Sequence, residues 1–230
     1  MIYAIICSRS DRPSKALSKL LKYLDKCKIH YHVSYDALSM FEGYLKGLDE
    51  LRPNPDDIVI FCHDDIEILM DTELFVDTLT NSLKPPEVGF VGPAGTTHLG
   101  LDAVWWDMHK RTQGLHSGFV FQGQDPATMT PNYFGACRNV VVLDGLFLAA
   151  KKSTLDRIDL KKPDQFKSNW DFYDLYYTLS AYETGFTNKA IPLLIMHYSN
   201  GEMRESWNQN RMAFQKMFRL PVKCYNGTPR

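Results

Sequence analysis

The sequence predicts an α/β fold: a doubly wound, mostly parallel sheet with helices on both faces. Three observations carry that expectation. Short β-branched and aromatic runs at residues 2–7, 58–62 and 88–93 are apolar without alternation, as strands buried on both faces are. Segments with apolar residues at helical spacing separate them. The resulting order, β-α-β-α-β-α-β, is that of doubly wound sheets. A chain of 230 residues suits one such domain.

Residues 2–7 read as the first strand, followed by the polar turn Ser8-Arg-Ser-Asp-Arg-Pro13. Pro13 and Ser14 then start a helix with Leu17, Leu20, Leu21 and Leu24 on one face. Neither G-x-G-x-x-G nor G-x-x-x-x-G-K-[ST] occurs. Ser8, Arg9 and Ser10 are therefore candidates to hold a base or ribose by hydrogen bonds, with a solvated loop as the competing description. Residues 29–33 form a second, more exposed strand. Residues 36–51, with Leu38, Phe41, Leu45 and Leu48, form a helix closed by Pro53 and Pro55. After the strand 58–62, Asp71 and Thr72 cap a helix that stops at Pro85-Pro86, and 88–93 is another short strand.

The second half is less regular. Residues 94–139 hold Gly95, Gly100, Gly114, Gly118, Gly123 and the Trp105-Trp106 pair, with little periodicity. A loop of that length is expected to be a lid or binding loop, the alternative being an insertion with its own small core. The apolar run 140–150 is broken by Asp144-Gly145. A carboxylate there needs a partner, and the glycine permits close backbone approach. Residues 151–158 suggest a short helix. Trp170-Asp-Phe-Tyr-Asp174 opens another, ended by Gly185. Asp171 in its first turn reads as a cap; capping explains Asp174 less well. Residues 190–196 are a final strand with His197-Tyr-Ser-Asn-Gly201 as its polar end, and 204–218 is a basic helix carrying Arg204 and Arg211.

Positive and negative charges nearly cancel, at 26 against 27, so nucleic acid is not expected as a partner. The five cysteines are odd in number, widely spaced and contain no C-x-x-C pair. That argues against a disulfide framework or zinc knuckle and for a reducing, cytoplasmic compartment. No signal peptide or membrane-length apolar run is present, though peripheral membrane association stays open.

The chemistry concentrates at His63-Asp64-Asp65, where the run 58–62 ends. Ligands of open α/β sheets bind at the carboxyl ends of strands, and adjacent carboxylates need a cation or hydrogen bonds to offset their repulsion. A solvated turn with a capping carboxylate is the plainer reading. With Trp170 to Asp174 and His197, the polar clusters offer oxygen ligands and an imidazole, a set suited to Mn²⁺ or Mg²⁺.

Five motifs, in order, resemble family 2-type glycosyltransferases with the GT-A (Rossmann-like) fold, especially a bacterial subgroup related to a streptomycin-biosynthesis protein. They are Ser39-Met-Phe-Glu-Gly-Tyr-Leu-Lys-Gly-Leu48, Ile58-Val-Ile-Phe-Cys-His-Asp-Asp-Ile-Glu67, Val142-Leu-Asp-Gly-Leu-Phe-Leu-Ala149, Phe172-Tyr-Asp-Leu175 and Ile191-Pro-Leu-Leu-Ile-Met-His-Tyr-Ser-Asn-Gly201. The resemblance implies a single GT-A domain over residues 1–230. Its nucleotide- and metal-binding half would be 1–93, its acceptor-side catalytic half 94–201, and its C-terminal helix and tail 202–230. It implies a metal-dependent inverting transfer from a nucleotide-diphosphate sugar, a UDP-sugar favoured, to a saccharide or other hydroxyl acceptor in glycan biosynthesis.

By that resemblance Asp65 and His197 are metal ligands, and Asp174 is the general base with Asp171 in reserve. His63 stands where the family's motif carries its first aspartate. With Asp64, Asp144, Gly145, Ser8, Arg9, Ser10 and Arg204, it is expected at the donor. Trp105, Trp106 and Trp170 are expected to stack on a sugar, core packing being the alternative for each. A metal-dependent phosphohydrolase and a non-catalytic sugar-binding protein on the same scaffold are the rival functions.

Overall fold

A computed structural model describes residues 1–199, 201 and 203–224, with the side chains of Met108 and Lys110 left aside. Asn200 of the expected strand end, and Glu202 and 225–230 of the expected tail, lie outside the described residues. In chain order the strands and helices begin with β1 (Ile2–Cys7), α1 (Lys15–Lys26), β2 (His30–Ser34), α2 (Met40–Leu51) and β3 (Ile58–His63). Next come β4 (Ile66–Ile68), α3 (Thr72–Ser82), β5 (Val88–Gly92), β6 (Ala94–Thr96) and β7 (His98–Leu99). The middle holds α4 (Met108–Thr112), β8 (His116–Gln122), β9 (Thr130–Gly135), β10 (Asn139–Val140), β11 (Val142–Leu143) and β12 (Phe147–Lys151). The last are α5 (Lys152–Leu155), α6 (Tyr173–Glu183), β13 (Thr187–Ala190), β14 (Ile195–His197), α7 (Glu205–Met217) and β15 (Val222–Lys223).

The fold class is the α/β class expected, built on a seven-stranded sheet of order β10-β13-β5-β12-β3-β1-β2. It is mixed in detail. β1 runs parallel to β2 and β3, and β13 parallel to β5, but β12 lies antiparallel between β3 and β5. Helices cover both faces. Phe61 stacks on Tyr44 of α2 at 4.4 Å and meets Tyr177 of α6 on one face. On the other, Phe147 packs edge-on against Phe75 of α3, which in turn meets Tyr23 of α1.

Local chemistry sets the element ends. Ser14, Ser39 and Asp71 each accept a backbone N–H at the start of α1, α2 and α3, satisfying amides that a helix leaves unpaired. Residues 36–39 stay outside α2 because Ser39, with Glu42 three residues on, starts it. Arg52 in the left-handed region ends it before Pro53.

Glycines let α2 lie close on β1: a Cβ at Gly47 would fall inside contact distance of the buried Ile5 side chain. Gly47→Ala is expected to cost about 1–3 kcal/mol through overpacking, outweighing alanine's helix preference of about 1 kcal/mol. Urea unfolding measures this; an unchanged midpoint would mean α2 can slide away from β1.

The stretch 94–139 is not the open loop expected. Half of it forms β6, β7, α4, β8 and β9, and it supplies the middle of a six-stranded sheet, β11-β6-β8-β14-β4 with β9 on β8. Its strands are short and interrupted by glycine turns, so no window was long enough to show a period. The run 140–150 is likewise three strands, parted at Val141 and again at Asp144-Gly145. The expected strand 190–196 is two, β13 and β14, parted around Pro192, which cannot donate to a ladder.

β4 and β14 position the site. The turn Asp64-Asp65 carries the chain from β3 in the first sheet to β4 in the second. β14 then pairs antiparallel with β4, placing His197 opposite Ile66, and Tyr198 N donates to Asp65 O at 2.8 Å.

Candidate active site

Three segments far apart in sequence meet at the end of β3. His63 N donates to Leu146 O at 3.1 Å, which sets the Asp144-Gly145 turn beside the histidine. The N-terminus of α6 docks on that turn: Gly145 N donates to Asp174 Oδ2 at 3.0 Å, and Tyr173 Oη donates to Gly145 O at 2.8 Å. A Cβ at residue 145 would lie inside van der Waals distance of Tyr173 Oη and Asp174 Cβ, so only glycine permits this approach. From the other side β14 brings in His197.

The result is a cluster of His63, Asp65 and His197 whose potential ligand atoms all lie within 4.8 Å of one another. His197 Nε2 is 3.2 Å from His63 Nδ1 and 3.4 Å from Asp65 Oδ1, and His63 Nδ1 is 3.7 Å from Asp65 Oδ1. About a third of the Asp65 side chain is open to solvent (35 %), yet its Oδ1 is buried without a hydrogen-bond partner. A buried carboxylate oxygen whose nearest polar neighbours are two imidazoles, both in ion-pair range and neither in hydrogen-bond geometry, has room in its shell for a cation. The donor set, two nitrogens and a carboxylate, therefore fits a divalent metal ion.

Electrostatics separate the two imidazoles. Burial pushes His63 down to about 4, against the pull of Asp65, so its ring is neutral near pH 7. Burial also opposes charge on His197, but the Asp65 carboxylate outweighs it and holds His197 above its usual range. Burial disfavours the Asp65 anion too; the His197 and His63 rings prevail and hold it down to about 2.

A second carboxylate pair lies nearby. Asp174 is pushed up to about 7, first by burial and then by the neighbouring charge of Asp144. Asp144 is raised by burial, with His197 opposing, and its Oδ1 accepts from Leu146 N. Asp64 is raised by burial, partly offset by a hydrogen bond from Ser8.

These groups line one cleft of about 1050 Å³, together with Cys7, Arg9, Trp106, Trp170, Arg204 and Trp207. That is ample for a ligand the size of a nucleotide sugar. Several expected residues change place. Ser8 is almost fully buried and reaches the cleft only through Asp64; Ser10 is exposed and off its wall. Trp105 borders the cleft with little surface to offer, since at 2 % exposure it packs against Trp106, His116 and Phe134. Arg9 covers one face of Trp170 at 4.0 Å. Trp106 stays on the cleft, packed against Trp207.

α6 begins at Tyr173, after Phe172 takes a left-handed φ of 68°, so Asp171 precedes the helix and Asp174 is in its first turn. Asp171 instead accepts from Ser206 at 3.3 Å. Sequence reasoning gave no role to Tyr173, Trp207, Gln122 or Gln124, all on this cleft. For the last two the one signal was their place at the polar end of the apolar run Phe119-Val-Phe121.

The family described as "Glycosyltransferase like family" matches this chain over residues 5–217. The chain belongs to that family. Membership supports a glycosyltransferase. No curated protein matches the chain. Among solved structures, "Crystal Structure of A197 from STIV" is similar at 14 % identity, covering 86 % of each chain with a TM-score of 0.49. No helix among the described residues of this glycosyltransferase-like protein is long and apolar enough to cross a membrane.

Proposed function

We propose that the protein is a metal-dependent, inverting glycosyltransferase. It moves a sugar from a nucleotide-diphosphate donor, a UDP-sugar favoured, to a saccharide or other hydroxyl acceptor in glycan biosynthesis. The observation that carries this is the cluster of His63, Asp65 and His197, with ligand atoms within 4.8 Å of one another, on the same cleft as the raised carboxylate Asp174. Donor and metal fall mainly to residues 1–93, and base and acceptor mainly to 94–201, with His197 crossing over to the metal.

A Mn²⁺ or Mg²⁺ ion held by Asp65, His197 and His63 would supply positive charge to the leaving nucleoside diphosphate. The chain's own residues do the rest. Arg204, at the start of α7, adds a cation on the cleft wall for the diphosphate. Arg9 and Asp64 bound the cleft at the end of β1 and β3, where a base and ribose can lie. Asp174 accepts the proton of the acceptor hydroxyl as that oxygen attacks the anomeric carbon. Direct displacement with one base leaves the product inverted. Trp106 and Trp207 offer ring faces and edges for the acceptor, with Gln122 and Gln124 as hydrogen-bonding groups.

Thermal unfolding with UDP, GDP and dTDP, each with and without Mn²⁺, tests this reading. Stabilisation by UDP that requires the metal is the expected result, because a ligand that binds only the folded state raises its midpoint. Rapid phosphate release from simple monoesters would overturn it in favour of a hydrolase.

A further inference from the structure

Tyr173 makes a contact that neither metal binding nor proton transfer uses. Its Oη lies 2.8 Å from Gly145 O and 2.6 Å from His63 Nε2. A carbonyl oxygen can only accept, so the single phenolic proton goes to Gly145 O. The second contact then has one arrangement that forms a hydrogen bond: His63 Nε2–H donates to the phenol oxygen. A neutral imidazole with its proton on Nε2 carries a bare lone pair on Nδ1. Nδ1 is the nitrogen that faces His197 at 3.2 Å and Asp65 at 3.7 Å.

The opposite tautomer has its own attraction. The Asp65 carboxylate, 3.7 Å away, favours a proton on Nδ1, and that proton would block the nitrogen a metal needs. We propose that Tyr173, anchored on the Gly145 carbonyl, is a positioning residue. It locks His63 in the Nε2–H tautomer and thereby presents Nδ1 as a ligand beside Asp65 and His197.

The anchor is rigid. The Tyr173 ring packs edge-on against Tyr44 at 5.7 Å and Phe41 at 6.4 Å, and Gly145 has no side chain to push the phenol away. A partner of this kind, which orients a ligating histidine from behind, commonly sets metal affinity by about 10- to 100-fold.

The assignment rests on the metal reading above for its consequence, but not for its test. Nitrogen-15 histidine spectra of the metal-free protein report the tautomer directly, with His63→Gln to assign the signal. Wild type is expected to show His63 protonated on Nε2. Tyr173→Phe keeps the ring packing and loses only the hydroxyl; in it the proton is expected to move largely to Nδ1. Mn²⁺ titration without nucleotide should then weaken by about 10-fold or more in Tyr173→Phe. A wild-type His63 protonated on Nδ1, or a tautomer and Mn²⁺ affinity unchanged in Tyr173→Phe, would overturn the assignment. A tautomer that shifts as expected in a protein that binds no Mn²⁺ supports the lock and overturns the metal reading alone.

Discussion

Asp65→Ala is expected to abolish metal-dependent donor binding. Asp65 supplies the one anionic ligand of the cluster, and it is already ionised: its carboxyl is held at about 2, so no proton has to leave before a cation binds. The remaining His63 and His197 are two neutral donors at best, and hard cations bind weakly to imidazole alone. Because altering a partner behind a ligand costs about 10- to 100-fold, removing the charged ligand should cost at least about 100-fold in Mn²⁺ affinity. The variant should fold, since the link from this turn to β14 is made by main-chain atoms, Tyr198 N to Asp65 O. Calorimetric titration of UDP with and without Mn²⁺ is the measurement. Wild type should bind UDP tightly only with the metal, and the variant equally weakly in both conditions. Unchanged affinity with Mn²⁺ would remove Asp65 from the site.

Why Asp65 was visible in the sequence and the shape of its site was not is a matter of range. The strand 58–62 ends in three polar residues, and burial of the apolar run fixes where those residues emerge. That inference needs only local information. The pairing of β4 with β14, by contrast, joins three-residue strands about 130 residues apart, too short to show a period. His197 could be guessed from its motif, but its ring contact with His63 could not. The same holds for Tyr173, whose role depends on where β12 turns, set by an antiparallel pairing with β3 that an apolar run does not announce.

In the first sheet β1, β3 and β5 were legible because they are buried almost throughout, and α1, α2 and α3 because they carry cap residues at their starts. The bounds of β10, β12 and β13, and the second sheet as a whole, were not, because those strands are short and broken by turn residues, glycine and proline. Trp105 shows the limit of composition: an aromatic pair suggests stacking on a sugar, yet only three-dimensional packing tells that both rings border the cleft while Trp105 is almost fully buried.

Asp174→Asn is expected to leave donor binding intact while stopping transfer. The asparagine oxygen can still accept from Gly145 N, so the docking of α6 on the Asp144-Gly145 turn should survive. What the amide cannot do is take a proton. Loss of a general base costs typically about 10²- to 10⁴-fold, and the loss should fall on kcat with little change in donor affinity. The pH profile follows from the same carboxylate. Burial and the charge of Asp144 raise Asp174 to about 7, so in the free enzyme it is protonated below that value and ionised above it. Only the ionised form accepts a proton, so kcat/KM should climb as pH rises through about 7 and fall away on acidification. Asp144→Asn removes the charge that helps hold Asp174 high, so this rise should move to lower pH. Full activity in Asp174→Asn, with the same rise near pH 7, would assign the base elsewhere on the cleft, with Asp171 the next carboxylate to replace.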